Sequence, residues 1–161
     1  MCVFVFGKVY GLLNQAPDGS TKTAFGAGIK TVSHTLGFDS SIEYNSATSQ
    51  MTANRVSTVL EWASNAGKHT GFVTTHRLTR GMPAGLWAHV ANHRWECGIP
   101  KAVHNPGQAA KDIAWQMIHQ KPGSLARVML GGGSASYRPA PPNHTYYSDD
   151  AERVKNYGIR F

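Results

Sequence analysis

The sequence has 161 residues, enough for one ordinary domain and too few for two. Sixteen Lys and Arg against nine Asp and Glu give a net charge of +7, which favours anionic partners in general, and a hydrophobic share of 41% suffices for a buried core. No apolar run approaches the ~20 residues of a membrane span, and the basic residues lack the aromatic interleaving of a nucleic-acid groove, so neither a membrane span nor a nucleic-acid partner is expected.

In chain order, residues 2–6 are apolar β-formers ended by Gly7 and predict a buried strand; with no basic residue ahead of them they do not read as a signal peptide. Asn14, Pro17, Asp18 and Gly19 mark a turn. Residues 21–30 carry Ala24, Phe25, Ala27 and Ile29 among small residues, which predicts a tightly packed helix. An extended segment at 34–41 and a polar loop at 42–50 follow. Val56, Val59, Leu60, Trp62 and Ala63 recur at helical spacing, so a helix is predicted over 52–66 with Gly67 as its cap. Residues 70–75 read as a buried strand. A second helix is predicted to start at Pro83 and to run through Leu86, Trp87, His89, Val90 and Ala91, and a third to span 109–119. Residues 126–130 predict a strand stopped by a tight turn at Gly131, Gly132 and Gly133.

This alternation predicts an α/β fold, an incomplete piece of a mainly parallel sheet flanked by helices, with strands buried on both faces. Residues 1–136 are read as the partial α/β domain and 137–161, with Pro139, Pro141 and Pro142, as a polar, proline-rich tail. Asn143-His144-Thr145 fits the N-glycosylation pattern and is read as an unmodified loop, and the distant Cys2 and Cys97 give no ground for a bridge. His89 and His93 would stand one turn apart on the predicted helix, the spacing of a chelating pair, but the pattern lacks the Glu of a zinc-protease helix; surface or cap roles are the better reading.

More specific are several collinear stretches. Lys8-Val9-Tyr10, Gln15-Ala16-Pro17-Asp18 and Thr23-Ala24-Phe25 leading to Gly28-Ile29-Lys30 come first. Then follow Leu60-Glu61-Trp62-Ala63, Ala66-Gly67-Lys68, residues 71–75, Arg77, Pro83-Ala84-Gly85, Ala88-His89, Asn92 and Trp95. Asp112-Ile113-Ala114, Gln116 and Val128-Met129-Leu130 with its three glycines close the series. Over roughly residues 8–133 the sequence resembles the N-terminal part of the catalytic domain of animal alkaline phosphatases.

The resemblance implies metal-dependent hydrolysis of phosphate monoesters through a phosphoserine, with zinc and magnesium as cofactors. It also implies a possible homodimer and an extracellular or lipid-anchored location. Such chemistry needs cations at the attacking and leaving oxygens and an Arg fork on the phosphoryl group. The family nucleophile directly follows the residue matched by Asp18, but Gly19 stands there; Ser20, one place later, is the displaced nucleophile candidate, and Asp18 is the other catalytic candidate that the resemblance implies. One residue of displacement on a helix turns a side chain by about 100° and shifts it by ~1.5 Å. The family's phosphate-binding Arg falls on His93, with Arg94 next, so these two are the candidate phosphate-binding residues. Its magnesium-binding hydroxyl falls on Met82 and the neighbouring His on Arg80. The family's metal-ligand segments have no counterpart in this sequence, so no metal ligand is assigned to it. The expectation is a chain that is inactive alone, with a pseudoenzyme or weak phosphate-binding module, using Arg80, His93 and Arg94, as the alternative.

Overall fold

The computed structural model describes residues 2–6, 19–100, 102–103 and 109–137. The turn at 14–18, Asp18 included, the Asn143 triplet and residues 138–161 lie outside the described residues.

Strand β1 (Cys2–Phe6) runs parallel to β2 (Thr70–Arg77), and β2 runs parallel to β3 (Ala126–Gly132), in the order β1-β2-β3. Val3 pairs with Gly71 and Gly71 with Val128. Helices join these parallel strands, as an α/β fold requires. Thr70, Gly71, Phe72 and Thr74 of the central strand are buried, which explains its continuous apolar run. The expectation of strands buried on both faces fails at β3, which is the sheet's edge among the described residues: Val128 is 39% exposed and Leu130 58%.

The three glycines do not form a turn as a unit. β3 continues through Gly131 and Gly132, because a Cβ on Gly131 would stand 2.6 Å from Leu78 Cδ2 and 2.9 Å from Thr74 Cγ2. Glycine is what lets the strand pass so close to its neighbour. The turn falls at Gly133, with φ +93°, and leads into a 3₁₀ turn at Ser134–Tyr137. Tyr137 is buried and its hydroxyl donates to Met117 Sδ at 3.2 Å, so the first residue of the expected tail is part of the core.

Helix α1 is Gly19–Ala27, earlier than expected, and buries Thr23, Gly26 and Ala27 while Phe25 and Ile29 are exposed. Its small residues are needed for contact with the next element: a Cβ on Gly85 would stand 2.7 Å from Lys22 Cβ, and one on Gly26 would stand 2.8 Å from the Gly85 carbonyl oxygen. The predicted helix over 52–66 is two pieces, α2 (Ser49–Thr52) and α3 (Val59–Asn65). Between them the Val56 N–H donates to Gly37 O at 2.9 Å, and Thr58 caps α3 by accepting from the Glu61 N–H. Trp62, placed on the apolar face by periodicity, is 53% exposed.

The helix predicted from Pro83 is confined to α4 (Gly81–Ala84). From there the chain runs as an irregular segment, and residues 83–92 are buried without exception. Buried backbone without regular structure needs other partners for its N–H and C=O groups. Leu36 and Val90 exchange two hydrogen bonds, at 2.9 and 3.0 Å. The Gln116 carboxamide accepts from the His89 N–H at 2.8 Å and donates to His89 O at 2.9 Å, and Gln50 Oε1 accepts from the Ala91 N–H at 3.0 Å. Thr58 Oγ1 donates to Leu86 O.

Helix α5 (Ile113–His119) starts four residues later than expected because Asp112 is its cap, accepting from the Trp115 N–H at 2.9 Å. Ile113, Ala114 and Met117 enter the core, where Phe72 and Trp87 stack at 4.7 Å among Leu36, Phe38, Leu60, Leu86 and Trp95. No helix among the described residues is long and apolar enough to cross a membrane.

Candidate phosphate site at the start of the first helix

Ser20 lies in the first turn of α1, half-buried, and the path from it to His93 runs through one backbone group. A Cβ on Gly19 would collide with the Thr35 carbonyl and stand 3.2 Å from the His34 carbonyl carbon. The oxygen of that same His34 carbonyl accepts from the His93 N–H at 2.8 Å and lies 3.1 Å from His93 Nδ1. The helix start carrying Ser20 and the His93 loop therefore meet at His34. Gly19 is required where the matched family pattern has its nucleophile, since any side chain there would strike Thr35.

His34 itself carries a φ of +65°, an uncommon value for a residue with a Cβ. Its ring stacks on His93 at 5.2 Å with 26° between planes and leans on Tyr44 at 5.6 Å. Asn92 fixes the other side of the loop: its Nδ2 donates to Asn45 Oδ1 at 2.9 Å and to the Tyr44 hydroxyl at 3.3 Å, while its Oδ1 accepts from the Arg94 N–H at 2.9 Å. Arg94 is exposed. His34, Tyr44 and Asn45 carried no signal in the sequence, because left-handed backbone at His34 and Asn45 is set by what packs around them; Asn92 stood in the quoted pattern without an assigned role.

His89 and His93 are not a helical pair, since the helix that would have aligned them does not form. His89 is 5% exposed, its Nε2 lies 3.2 Å from Val56 O, and its ring meets Phe38 edge-on at 5.7 Å. Burial is the main reason that its pKa is pushed down to about 4. It is a neutral core histidine.

Beyond β2, Arg77 grips Glu96 with both ends of its guanidinium, at 2.9 and 2.7 Å, and Thr79 Oγ1 donates to the same carboxylate at 2.7 Å. Burial alone would raise the Glu96 pKa, but the bonds from Arg77 and Thr79 and the charges of Arg77 and Arg80 outweigh it and hold it below the ordinary value. The pair ties the end of β2 to the loop after Trp95. Arg80 is exposed and Met82 half-buried, and neither offers an oxygen to a hard cation. Among the described residues no three His, Cys, Asp or Glu side chains converge as metal ligands, so these residues do not fit a zinc or magnesium centre.

Residues 6–158 match the family described as alkaline phosphatase. The chain is 37% identical over 127 residues to alkaline phosphatase 4 of Drosophila melanogaster, covering 78% of this chain and 20% of that protein. It is 36% identical over 136 residues to a membrane-bound alkaline phosphatase of Bombyx mori, covering 82% and 24%, and 32% identical over 144 residues to the human tissue-nonspecific isozyme, covering 89% and 27%. The chain thus spans about a quarter of the length of these curated relatives.

Proposed function

Since the chain belongs to the alkaline phosphatase family, we propose that it carries the phosphoryl-facing part of a phosphate-monoester hydrolase and that residues 1–161 alone bind phosphate without turning the ester over. The observation that carries this reading is the meeting of the α1 start with His93 across the His34 carbonyl. It supports reading Ser20, in the helix that starts there, together with His93 and Arg94 of the neighbouring loop as one site. In the family reaction zinc and magnesium supply the charge that draws the attacking oxygen onto phosphorus, and no step through them is assigned to these residues. What the chain's own groups can do is bind: Arg94 supplies a fixed positive charge and His93 an imidazole hydrogen bond in place of a bidentate fork. A chain that binds and does not hydrolyse is the pseudoenzyme form of the same reading. A homodimer belongs to this proposal too, as does the division into a 1–136 domain and a 137–161 tail, save that Tyr137 itself packs into the core.

The test is p-nitrophenyl phosphate hydrolysis by the full chain at alkaline pH with zinc and magnesium added, beside Ser20→Ala. No turnover by either protein, together with a rise in melting temperature on adding inorganic phosphate, is the expected result. Turnover that Ser20→Ala abolishes would show a working nucleophile and overturn the proposed inactivity; absence of any phosphate effect would overturn the binding role.

A further inference from the structure

We propose that the Tyr44 hydroxyl is a phosphate contact of this site, donating its proton to a phosphoryl oxygen that it shares with Arg94. The inference rests on the reading above, that the loop after Asn92 meets the phosphoryl group. Its ground is the orientation of one carboxamide. A backbone N–H can only donate, so the Asn92 atom that stands 2.9 Å from the Arg94 N–H is Oδ1. The other end of the amide is therefore Nδ2, which can only donate, and it faces Asn45 Oδ1 at 2.9 Å and the Tyr44 hydroxyl oxygen at 3.3 Å. With Asn92 as donor, Tyr44 is the acceptor of that bond. Its own O–H is committed to no acceptor among the described residues. Asn92 is 7% exposed and Tyr44 44%, so the amide is anchored in the interior while the phenol stands at the surface, where an anion arrives.

The backbone holds this donor in place before any ligand is present. The Asn45 N–H donates to Ala91 O at 2.9 Å, one residue before Asn92, and Asn45 takes the left-handed φ of +61° that lets its side chain meet Asn92 as well. The Ala91 N–H in turn donates to buried Gln50 Oε1 at 3.0 Å. On its other side the Tyr44 ring leans on His34 at 5.6 Å, the residue whose carbonyl takes the His93 N–H. Tyr44 thus rests on both parts of the junction from which the site is read. A group that is already fixed loses little freedom on binding, and a hydrogen bond to a charged oxygen is roughly twice as strong as one between neutral groups. The phenol would supply direction to the bound oxygen and Arg94 its charge.

Inorganic phosphate is the probe. Calorimetric titration of the full chain beside Tyr44→Phe compares two proteins that differ by one oxygen atom, so the general attraction of phosphate to a basic surface is common to both. Tyr44→Phe should weaken the phosphate Kd about tenfold, with its melting temperature in the absence of phosphate within a few degrees of the wild type. In the wild-type chain, the carbon NMR signal of the Tyr44 ring atom that bears the hydroxyl, assigned by its loss in Tyr44→Phe, should shift with phosphate and saturate at the concentration that calorimetry gives. Equal affinity in the two proteins, or a Tyr44 signal that stays in place while phosphate binds, would overturn the inference and leave the phosphate reading standing. Should the variant melt early, the wild-type signal decides alone. No phosphate binding by the wild-type chain would overturn both.

Discussion

Two buried side chains govern how residues 83–92 can exist without regular structure. Gln116 is 1% exposed and serves three backbone groups: the His89 N–H, the His89 carbonyl and the Lys111 carbonyl, the last at 2.8 Å. Replacing it by Leu keeps the volume and strands those groups, so Gln116→Leu should cost on the order of 3–5 kcal/mol in chemical unfolding, against about 0.5 kcal/mol or less for an ordinary surface change. His89 gives the chain an acid-side weakness. Its pKa is about 4 when folded and near ~6.5 when unfolded, so the unfolded chain takes the proton first as the pH falls. Stability is intact above about pH 6.5 and declines toward pH 4, by on the order of 3 kcal/mol from this group. His89→Gln, which keeps a donor for Val56 O, should flatten that part of the profile even if it lowers the plateau. Both residues stood inside quoted sequence patterns, yet their tasks were illegible there, because a hydrogen bond across 27 residues leaves no trace in local spacing.

Among the elements, β2, β3 and α5 were legible because each follows a simple rule. A continuous run of β-formers reads as a strand, and apolar residues on one face closed by Pro122 and Gly123 read as a helix, although its start at the Asp112 cap was not foreseen. Removing the cap, Asp112→Ala, should cost about 1 kcal/mol and shorten α5 at its start, seen as lost protection of the Trp115 amide. Periodicity misled where apolar residues serve different neighbours in an extended chain. Val56 belongs to a stretch bonded to Gly37, and Trp62 faces solvent. It misled again at Pro83, where apolar residues at helical spacing sit in a chain that is buried throughout. At the candidate site, Ser20, His93 and Arg94 were found by resemblance, whereas the hinge between them, His34, depends on a positive φ that only the folded chain displays.

At the scale of the whole molecule, the parallel α/β architecture and the incomplete sheet followed from the order of elements, whereas which strand stands at an edge among the described residues did not, since an edge strand and a central one share composition. Val128 and Leu130 give that edge an apolar outer surface, with Leu125 39% exposed just before it. A strand that has no second neighbour among the described residues invites intermolecular strand pairing. Leu130→Lys should therefore raise the soluble yield and shift light scattering toward monomer, while leaving the melting temperature within a few degrees; an unchanged aggregation profile would show that the edge is not the adhesive surface. The segment clasped by Gln50 and Gln116 carries one more consequence. Although it is neither helix nor strand, its amides at His89, Val90 and Ala91 all have buried acceptors. Deuterium should thus replace hydrogen there as slowly as in the middle of β2, and a map of solvent exchange would draw the rigid centre of this protein through a stretch that a ribbon diagram shows as loop.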